Sequence, residues 1–346
     1  MATNQPDWLR LQASNNGLHL LSAQGNHCTY RLPEGMEQGL MRCAELFHGV
    51  ELCCADVRLA ECAWKTATAS PDILIITHCR EGRLEYAFQD GSCAFLGPGD
   101  LAIYSPVFQT EQCWLPSGRF WGISVILHPE QCAQEIAALS TQLLGETIDL
   151  HTIFRCLCDT NCTLIRRSPD TEAIFAQLYQ KELPDFSGYF RLKLLELLLF
   201  LSGRVPEQVQ HEPVYLYQDQ VKRVKEMQQY LVRNLSRHIT QDALARQFHL
   251  SLTSLKQCFK AVYGLPVDTY MRTYRIHQAQ QLLRETNLPV AEIAQQVGYE
   301  SHSRFTAVFK AHTGLAPLAY RKVSLRRIQN EEDSRLEVSA DPLLAC

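Results

Sequence analysis

One pattern occurs twice in the last third of the chain, and two copies at a fixed spacing constrain the fold more than any other feature. In the first copy Thr240 supplies a capping oxygen for a helix over residues 241–248. A tight turn falls at His249-Leu250. Ser251 then caps a second helix from Leu252 to about Val262, which Gly264 closes. In the second copy Pro289 suits the start of a helix from Val290 to Val297. Gly298 stands where the chain must turn sharply, Ser301 caps a helix from His302 to His312, and Gly314 ends it. The copies correspond by position: Ala245 with Ala294, Phe248 with Val297, Leu255 with Phe305, and Phe259-Lys260 with Phe309-Lys310. The apolar spacing turns Leu244, Ala245, Phe248, Leu255 and Phe259 inward in the first copy, and Ile293, Ala294, Val297, Phe305 and Phe309 in the second. A long helix from about Val267 to Arg284, bearing Arg272 and Arg275, joins them. A single helix-turn-helix pattern is a weak signal. Two copies on one rigid helix place two recognition helices about one DNA turn apart, so that both enter successive major grooves.

Charge agrees. The chain has 33 Lys and Arg against 37 Asp and Glu, a net of −4. From Gln220 to Ile328, however, 17 basic residues face 6 acidic ones, a balance of +11. The remainder carries 16 against 31, a balance of −15. A basic segment joined to an acidic one is the footprint of a nucleic-acid-binding domain attached to a non-binding one, and the expected partner is double-stranded DNA.

These residues resemble the DNA-binding domain of the AraC/XylS family of bacterial regulators. The resemblance lies in Ile293-Ala-Gln-Gln-Val-Gly298-Tyr299-x-Ser301-x-Ser303-x-Phe305-x-x-x-Phe309-Lys310, followed by Gly314-x-x-Pro317-x-x-Tyr320-Arg321. It covers roughly 100 residues. Ser303-Arg304-Phe305 and Thr253-Ser-Leu-Lys256-x-x-Phe259 are more similar to its siderophore-responsive, pyochelin-regulator-like branch. By matching positions, the resemblance implies base-facing residues Leu252, Thr253, Lys256 and Gln257 in the first unit, and His302, Ser303 and Thr306 in the second. Lys260, Arg304, Lys310 and Arg321 would contact phosphates. For each base-facing residue, a solvated helix face or a phosphate contact is the competing reading. Two positions depart from the family pattern. Ala307 stands where a basic residue is usual, which reduces what the second recognition helix can read, and His249 replaces the usual turn glycine.

Upstream the period changes. Ile73–Thr77, Leu84–Phe88, Cys93–Leu96, Leu101–Tyr104 and Phe120–Leu127 read as strands in a region from about Ala44 to Leu127. Turn signals at Glu81-Gly82, Asp90-Gly91 and Gly97-Pro98-Gly99-Asp100 separate them. Short strands at this spacing predict a small antiparallel barrel or sandwich. The region resembles the cupin-like sensor domain common in the family. From Pro129 the signals are helical, and the leucine-rich helix from Tyr189 to Leu201, with Leu192, Leu195 and Leu199, either packs on the barrel or forms a dimer contact. The expected fold is therefore multidomain α+β: a cupin-like antiparallel β-barrel over residues 1–128, a helical dimerisation segment over 129–202, a linker over 203–219, an all-α domain with two helix-turn-helix units over 220–328, and an acidic tail over 329–346. The units themselves span about 241–262 and 290–312.

The sensor region has no His-x-His followed by a spaced Glu and His, so no metal ligand set is assigned and a cupin-type enzyme is disfavoured. His78 stands alone and reads as structural. Tyr86, Phe88, Phe95, Tyr104, Phe108 and Trp121 could line a small-molecule pocket, or fill the barrel core. Twelve of the fourteen cysteines precede residue 163. No basic segment followed by an apolar core opens the chain, so the expected compartment is the cytoplasm and the cysteines read as reduced core residues. Cys156-x-Cys158-x-x-x-Cys162 is the one spacing that could hold a soft metal or sense redox state, and it matches no strong zinc pattern. Three readings follow: a homodimeric DNA-binding regulator controlled by a small-molecule effector, a constitutive dimeric regulator, and a cupin-type enzyme joined to a DNA-binding domain. The first is preferred, without catalytic residues, cofactor or membrane contact, and with RNA polymerase as a further candidate partner.

Overall fold

In the computed structural model the described residues are 7–32, 38–58, 63–65, 73–158, 161–181, 187–204 and 216–324. They divide into two compact units, residues 1–221 with 261–264 and residues 222–260 with 265–346.

The first unit opens with α1 (Asp7–Asn15), β1 (His19–Gln24), β2 (His27–Arg31), β3 (Gln38–Phe47), β4 (Val50–Arg58) and β5 (Ala63–Lys65). Then come β6 (Leu74–Gly82), β7 (Leu84–Phe88), β8 (Ser92–Leu96), β9 (Leu101–Tyr104), β10 (Gln109–Trp114) and β11 (Arg119–Leu127). Helices α2 (Pro129–Leu144) and α3 (Leu150–Leu157) lead to β12 (Thr163–Ile165), α4 (Pro169–Phe175), α5 (Ser187–Arg204) and β13 (Leu216–Tyr217). The strands form two antiparallel sheets, in the orders β1-β2-β3-β4-β11-β6-β9-β12 and β13-β8-β7-β10-β5. This is the antiparallel β architecture expected of the N-terminal region, with helices added.

Alternation explains the layering. Along β6, Leu74 and Ile76 join a core shared with α2–α5, while Ile75 and Cys79 join a core that includes Tyr86 and Phe88 of β7. On β11, Val125 and Leu127 face the helices, whereas Phe120 and Ile126 face the other way. Strands buried on both faces read as continuous apolar runs, which is why Ile73–Thr77 and Phe120–Leu127 stand out in the sequence. Strands β1 to β3 begin before the region read as strand-like. In β1 nearly every residue is exposed, and in β2 buried Cys28 and Tyr30 alternate with half-exposed neighbours, so their apolar signal is thin.

The segment after Pro129 is helical as expected, with one exception. Thr163–Ile165 pairs with Leu101–Ile103 as an added edge strand. The Gly97–Asp100 turn is tied to this neighbourhood. The Asp100 carboxylate, 8 % exposed, accepts from the Gly97 N–H at 3.2 Å, the Arg167 N–H at 3.0 Å and Arg166 Nη1 at 2.7 Å. Gly99 has φ +84°, and a Cβ there would meet the Arg167 side chain at 2.6 Å.

In α5, Phe190, Leu194, Leu195, Leu198 and Leu201 are buried in the first unit's core, Leu199 packs against it partly buried, and Leu192 is 62 % exposed. Of the stretch read as a linker, 205–215 lies outside the described residues, as does the acidic tail. At its far end Leu216 and Tyr217 pair with Cys93 and Ser92.

His78 is a core residue. Its ring stacks on Phe175 with centroids 4.1 Å apart, and Nδ1 lies 2.8 Å from the Tyr179 hydroxyl. Burial pulls its pKa down to about 4, so it is neutral at physiological pH. Tyr86, Phe88, Phe95 and Tyr104 are likewise buried. Trp121 is half-buried with its ring edge-on to Tyr179, and the Phe108 side chain lies outside the described residues. Cys43 and Cys53, opposite each other on β3 and β4, bring their Sγ atoms to 3.5 Å. Cys156 is exposed while Cys158 and Cys162 are buried. Among the described residues no three His, Cys, Asp or Glu side chains are grouped to hold a metal ion.

Candidate nucleic-acid interface

The second unit is all-helical: α6 (Gln218–Arg233, its first turn in the first unit), α7 (Gln241–Gln247), α8 (Leu252–Tyr263, its last three residues grouped with the first unit), α9 (Val267–Glu285), α10 (Val290–Gln296), α11 (His302–Thr313) and a last helical stretch over 317–324. Helices α7–α8 and α10–α11 are the two expected helix-turn-helix pairs, with α9 between them. The caps form as the sequence implies. Thr240 Oγ1 accepts from the Ala243 N–H at 3.2 Å, Ser251 Oγ from Ser254 N–H at 3.1 Å, and Ser301 Oγ from Arg304 N–H at 3.3 Å.

Both turns use the same backbone device. After α7, the His249 N–H donates to the Arg246 carbonyl at 3.4 Å and the Leu250 N–H to Ala245 at 2.9 Å. After α10, the Gly298 N–H donates to Gln295 at 3.0 Å and the Tyr299 N–H to Ala294 at 2.8 Å. This paired closure needs a left-handed residue just past the helix end. Gly298 supplies it with φ +84°. His249 supplies it with φ +53°, and is the only non-glycine with positive φ among the described residues. The missing turn glycine therefore changes the residue and keeps the conformation. Arg223 Nη1 also donates to the His249 carbonyl at 2.9 Å.

Every inward position expected from the spacing is buried except Phe248, which is half-buried with its ring edge-on to Tyr230. Ile293, Ala294, Val297, Phe305 and Phe309 close on Ile276, Ala279 and Leu283 of α9, so that helix anchors the second pair. The repeat extends into the rings: Phe259 meets Tyr270 and Phe309 meets Tyr320, each pair with centroids 5.4 Å apart and nearly perpendicular.

With one face buried, the other faces outward. On α8, Thr253, Lys256, Gln257 and Lys260 are exposed, and Leu252 is half-buried at its first turn. On α11, His302, Ser303, Arg304, Ala307 and Lys310 are exposed, while Thr306 is half-buried with its hydroxyl oxygen enclosed. Arg321 sits apart from these. Its Nε donates to the Leu283 carbonyl at 3.3 Å and its Nη2 to Leu288 at 2.6 Å, so it braces the end of α9. Arg275, read from the sequence only as one of several basic residues on α9, does the same elsewhere. Its Nη2 donates to the carbonyls of Leu235 at 3.0 Å and Arg237 at 3.2 Å, beside Gly298. Burial lowers its pKa. No sequence spacing marks it, because its partners are backbone oxygens about 40 positions away.

A profile of the helix-turn-helix domain matches residues 244–323. The HTH-type transcriptional activator RhaR of Salmonella schwarzengrund is 36% identical over 94 residues, 27% of this chain and 33% of that protein. RhaR of Salmonella heidelberg is 39% identical over 83 residues, 24% of this chain and 29% of that protein. The chain thus spans about a third of the length of the curated relatives it matches. Among solved structures, the C-terminal domain of the response regulator yesN from Fusobacterium nucleatum is 31% identical, covering 28% of this chain and 95% of that one with a TM-score of 0.27. ToxT from Vibrio cholerae is 14% identical, covering 79% and 97% with a TM-score of 0.32. The C-terminal pair of helix-turn-helix units is thus a helix-turn-helix domain similar to that of HTH-type transcriptional activators.

Proposed function

We propose that the whole chain is a sequence-specific DNA-binding transcription regulator rather than an enzyme, acting as a homodimer under small-molecule control. The observation that carries the DNA reading is the pair of capped helices, α8 and α11, each with a polar outer face in a segment of charge +11. Lys256, Gln257 and Thr253 supply donors, an acceptor and a methyl group suited to base edges. Lys260, Arg304 and Lys310 supply cations suited to phosphates. A DNA partner implies a working place in the cytoplasm, where RNA polymerase would be met.

Dimerisation rests on α5, with its direction revised by the fold. Leu195 fills the protomer core, so Leu192 is the residue of this helix that offers apolar surface. Two linked copies raise discrimination because the second binding event becomes intramolecular. Effector control rests on the aromatic interior of the β unit. The burial of Tyr86 and Phe88 favours the second reading, a constitutive regulator in which these rings are packing alone.

The test is fluorescence anisotropy of the full chain on duplex DNA over a salt series. Binding should fall steeply between about 50 and 200 mM salt, because phosphate neutralisation releases counterions. A flat response would refute the DNA reading. For assembly, light scattering of Leu192→Glu should show a folded monomer where the wild type is a dimer. A monomeric wild type at micromolar concentration, or a dimeric Leu192→Glu, would remove α5 as the contact.

A further inference from the structure

The two helix-turn-helix units share a backbone plan, and their outward faces differ. Phe259 and Phe309, Gly264 and Gly314, and Tyr270 and Tyr320 fix the correspondence along the two recognition helices. On that register Thr253 matches Ser303, Ser254 matches Arg304, Lys256 matches Thr306, Gln257 matches Ala307 and Lys260 matches Lys310. The two positions in the middle of the exposed face carry the contrast. In α8 they are Lys256 and Gln257, both exposed. In α11 they are Thr306, whose hydroxyl oxygen is buried without a hydrogen-bond partner, and Ala307, which exposes only a methyl.

Building on the DNA-binding reading, we infer that base discrimination is concentrated in the first unit, and that the second unit is mainly a backbone clamp. A glutamine carboxamide presents a donor and an acceptor together, the pair that matches N6 and N7 of adenine. A lysine ammonium matches O6 and N7 of guanine, and the Thr253 methyl can pack on a thymine methyl. The middle of α11 offers no such group. What remains exposed on it is His302 and Ser303 at its first turn and Ala311 and His312 at its last, together with Arg304 and Lys310, whose charge suits phosphates of any sequence. The preferred site therefore has one half rich in sequence information, containing neighbouring guanine and adenine under α8. The other half tolerates substitution.

The experiment selects binding sites for the full chain from a randomised duplex library, then measures anisotropy on single-base variants of the winner. Strong preference is expected in one half-site. Gln257→Ala should flatten the preference at one position by about tenfold, and Lys256→Ala at a neighbouring one. Lys310→Ala should weaken all variants alike and reduce the salt slope by about one. Ala307→Gln is the gain-of-function arm, and should create a new preference of about tenfold in the tolerant half. All four sites are exposed, so equal melting temperatures verify folding. Two equally informative half-sites, or an unchanged ranking in Lys256→Ala and Gln257→Ala, would overturn the inference while leaving DNA binding intact. Failure of the wild type to bind any duplex would overturn both.

Discussion

Gly298 and His249 occupy the same place in two copies of one turn, so substitutions there should have opposite signs. An L side chain in the left-handed region costs about 1–2 kcal/mol. At Gly298 the added Cβ would also stand 2.5 Å from the Leu235 carbonyl oxygen and 3.0 Å from Arg275 Nη2. These two atoms are hydrogen-bonded to each other, so they cannot yield independently. Forcing such a contact costs about 1–3 kcal/mol. Restricting the unfolded chain returns about 0.4–1 kcal/mol. Gly298→Ala should therefore destabilise the second unit by about 2–3 kcal/mol. At His249 the side chain is already exposed and the strain already present. His249→Gly relieves the strain against the entropy of a new glycine, and should be neutral to stabilising by up to about 1 kcal/mol. The assay follows from the composition. All four Trp precede residue 122, so Trp fluorescence reports the first unit, and far-UV circular dichroism is needed for the helical one. With a urea slope of about 2 kcal/mol/M, Gly298→Ala should move the circular dichroism transition down by about 1 M and leave the fluorescence transition in place. A shift under about 0.3 M, or a destabilising His249→Gly, would refute the reasoning about these turns.

Two further outcomes concern the first unit. His78 has a folded pKa of about 4, below its unfolded 6.5, so the stability it contributes is present above pH 6.5 and lost as pH falls towards 4. The loss should approach about 3 kcal/mol, and a His78→Gln variant monitored by Trp fluorescence should lack this phase; an identical acid profile in the two proteins would contradict it. Asp100→Ala removes the acceptor shared by Gly97, Arg166 and Arg167 and should cost about 2–3 kcal/mol in the same assay, whereas a loss under about 0.5 kcal/mol would mean that the turn holds without it.

Much of the candidate interface was legible because its determinants are local. A capping hydroxyl, a turn residue and apolar residues three and four apart all lie within one helical turn of what they control. Thr240, Ser251, Ser301 and Gly298 consequently appear in the structure in the roles the sequence implies. Local signals also marked Leu84–Phe88 and Leu101–Tyr104 as strands. The same reasoning passed over β1 and β2, whose residues are mostly exposed or alternate with half-exposed neighbours, and over β12 because three residues inside a helical stretch carry too little pattern.

The sequence by itself determined the two-part plan, the duplicated helix-turn-helix units and the identity of the outward residues on α8, since period and charge are properties of neighbouring positions. Tertiary structure alone decided which face of α5 is spent on the core, leaving Leu192 exposed and Leu195 enclosed. It also set Arg275 and Arg321 to brace backbone carbonyls, and it turned the Thr306 hydroxyl inward. Each of these depends on groups brought together from distant parts of the chain. A side chain's polarity is written in the sequence, but whether it meets solvent, a carbonyl or a packed ring is fixed only when the elements dock.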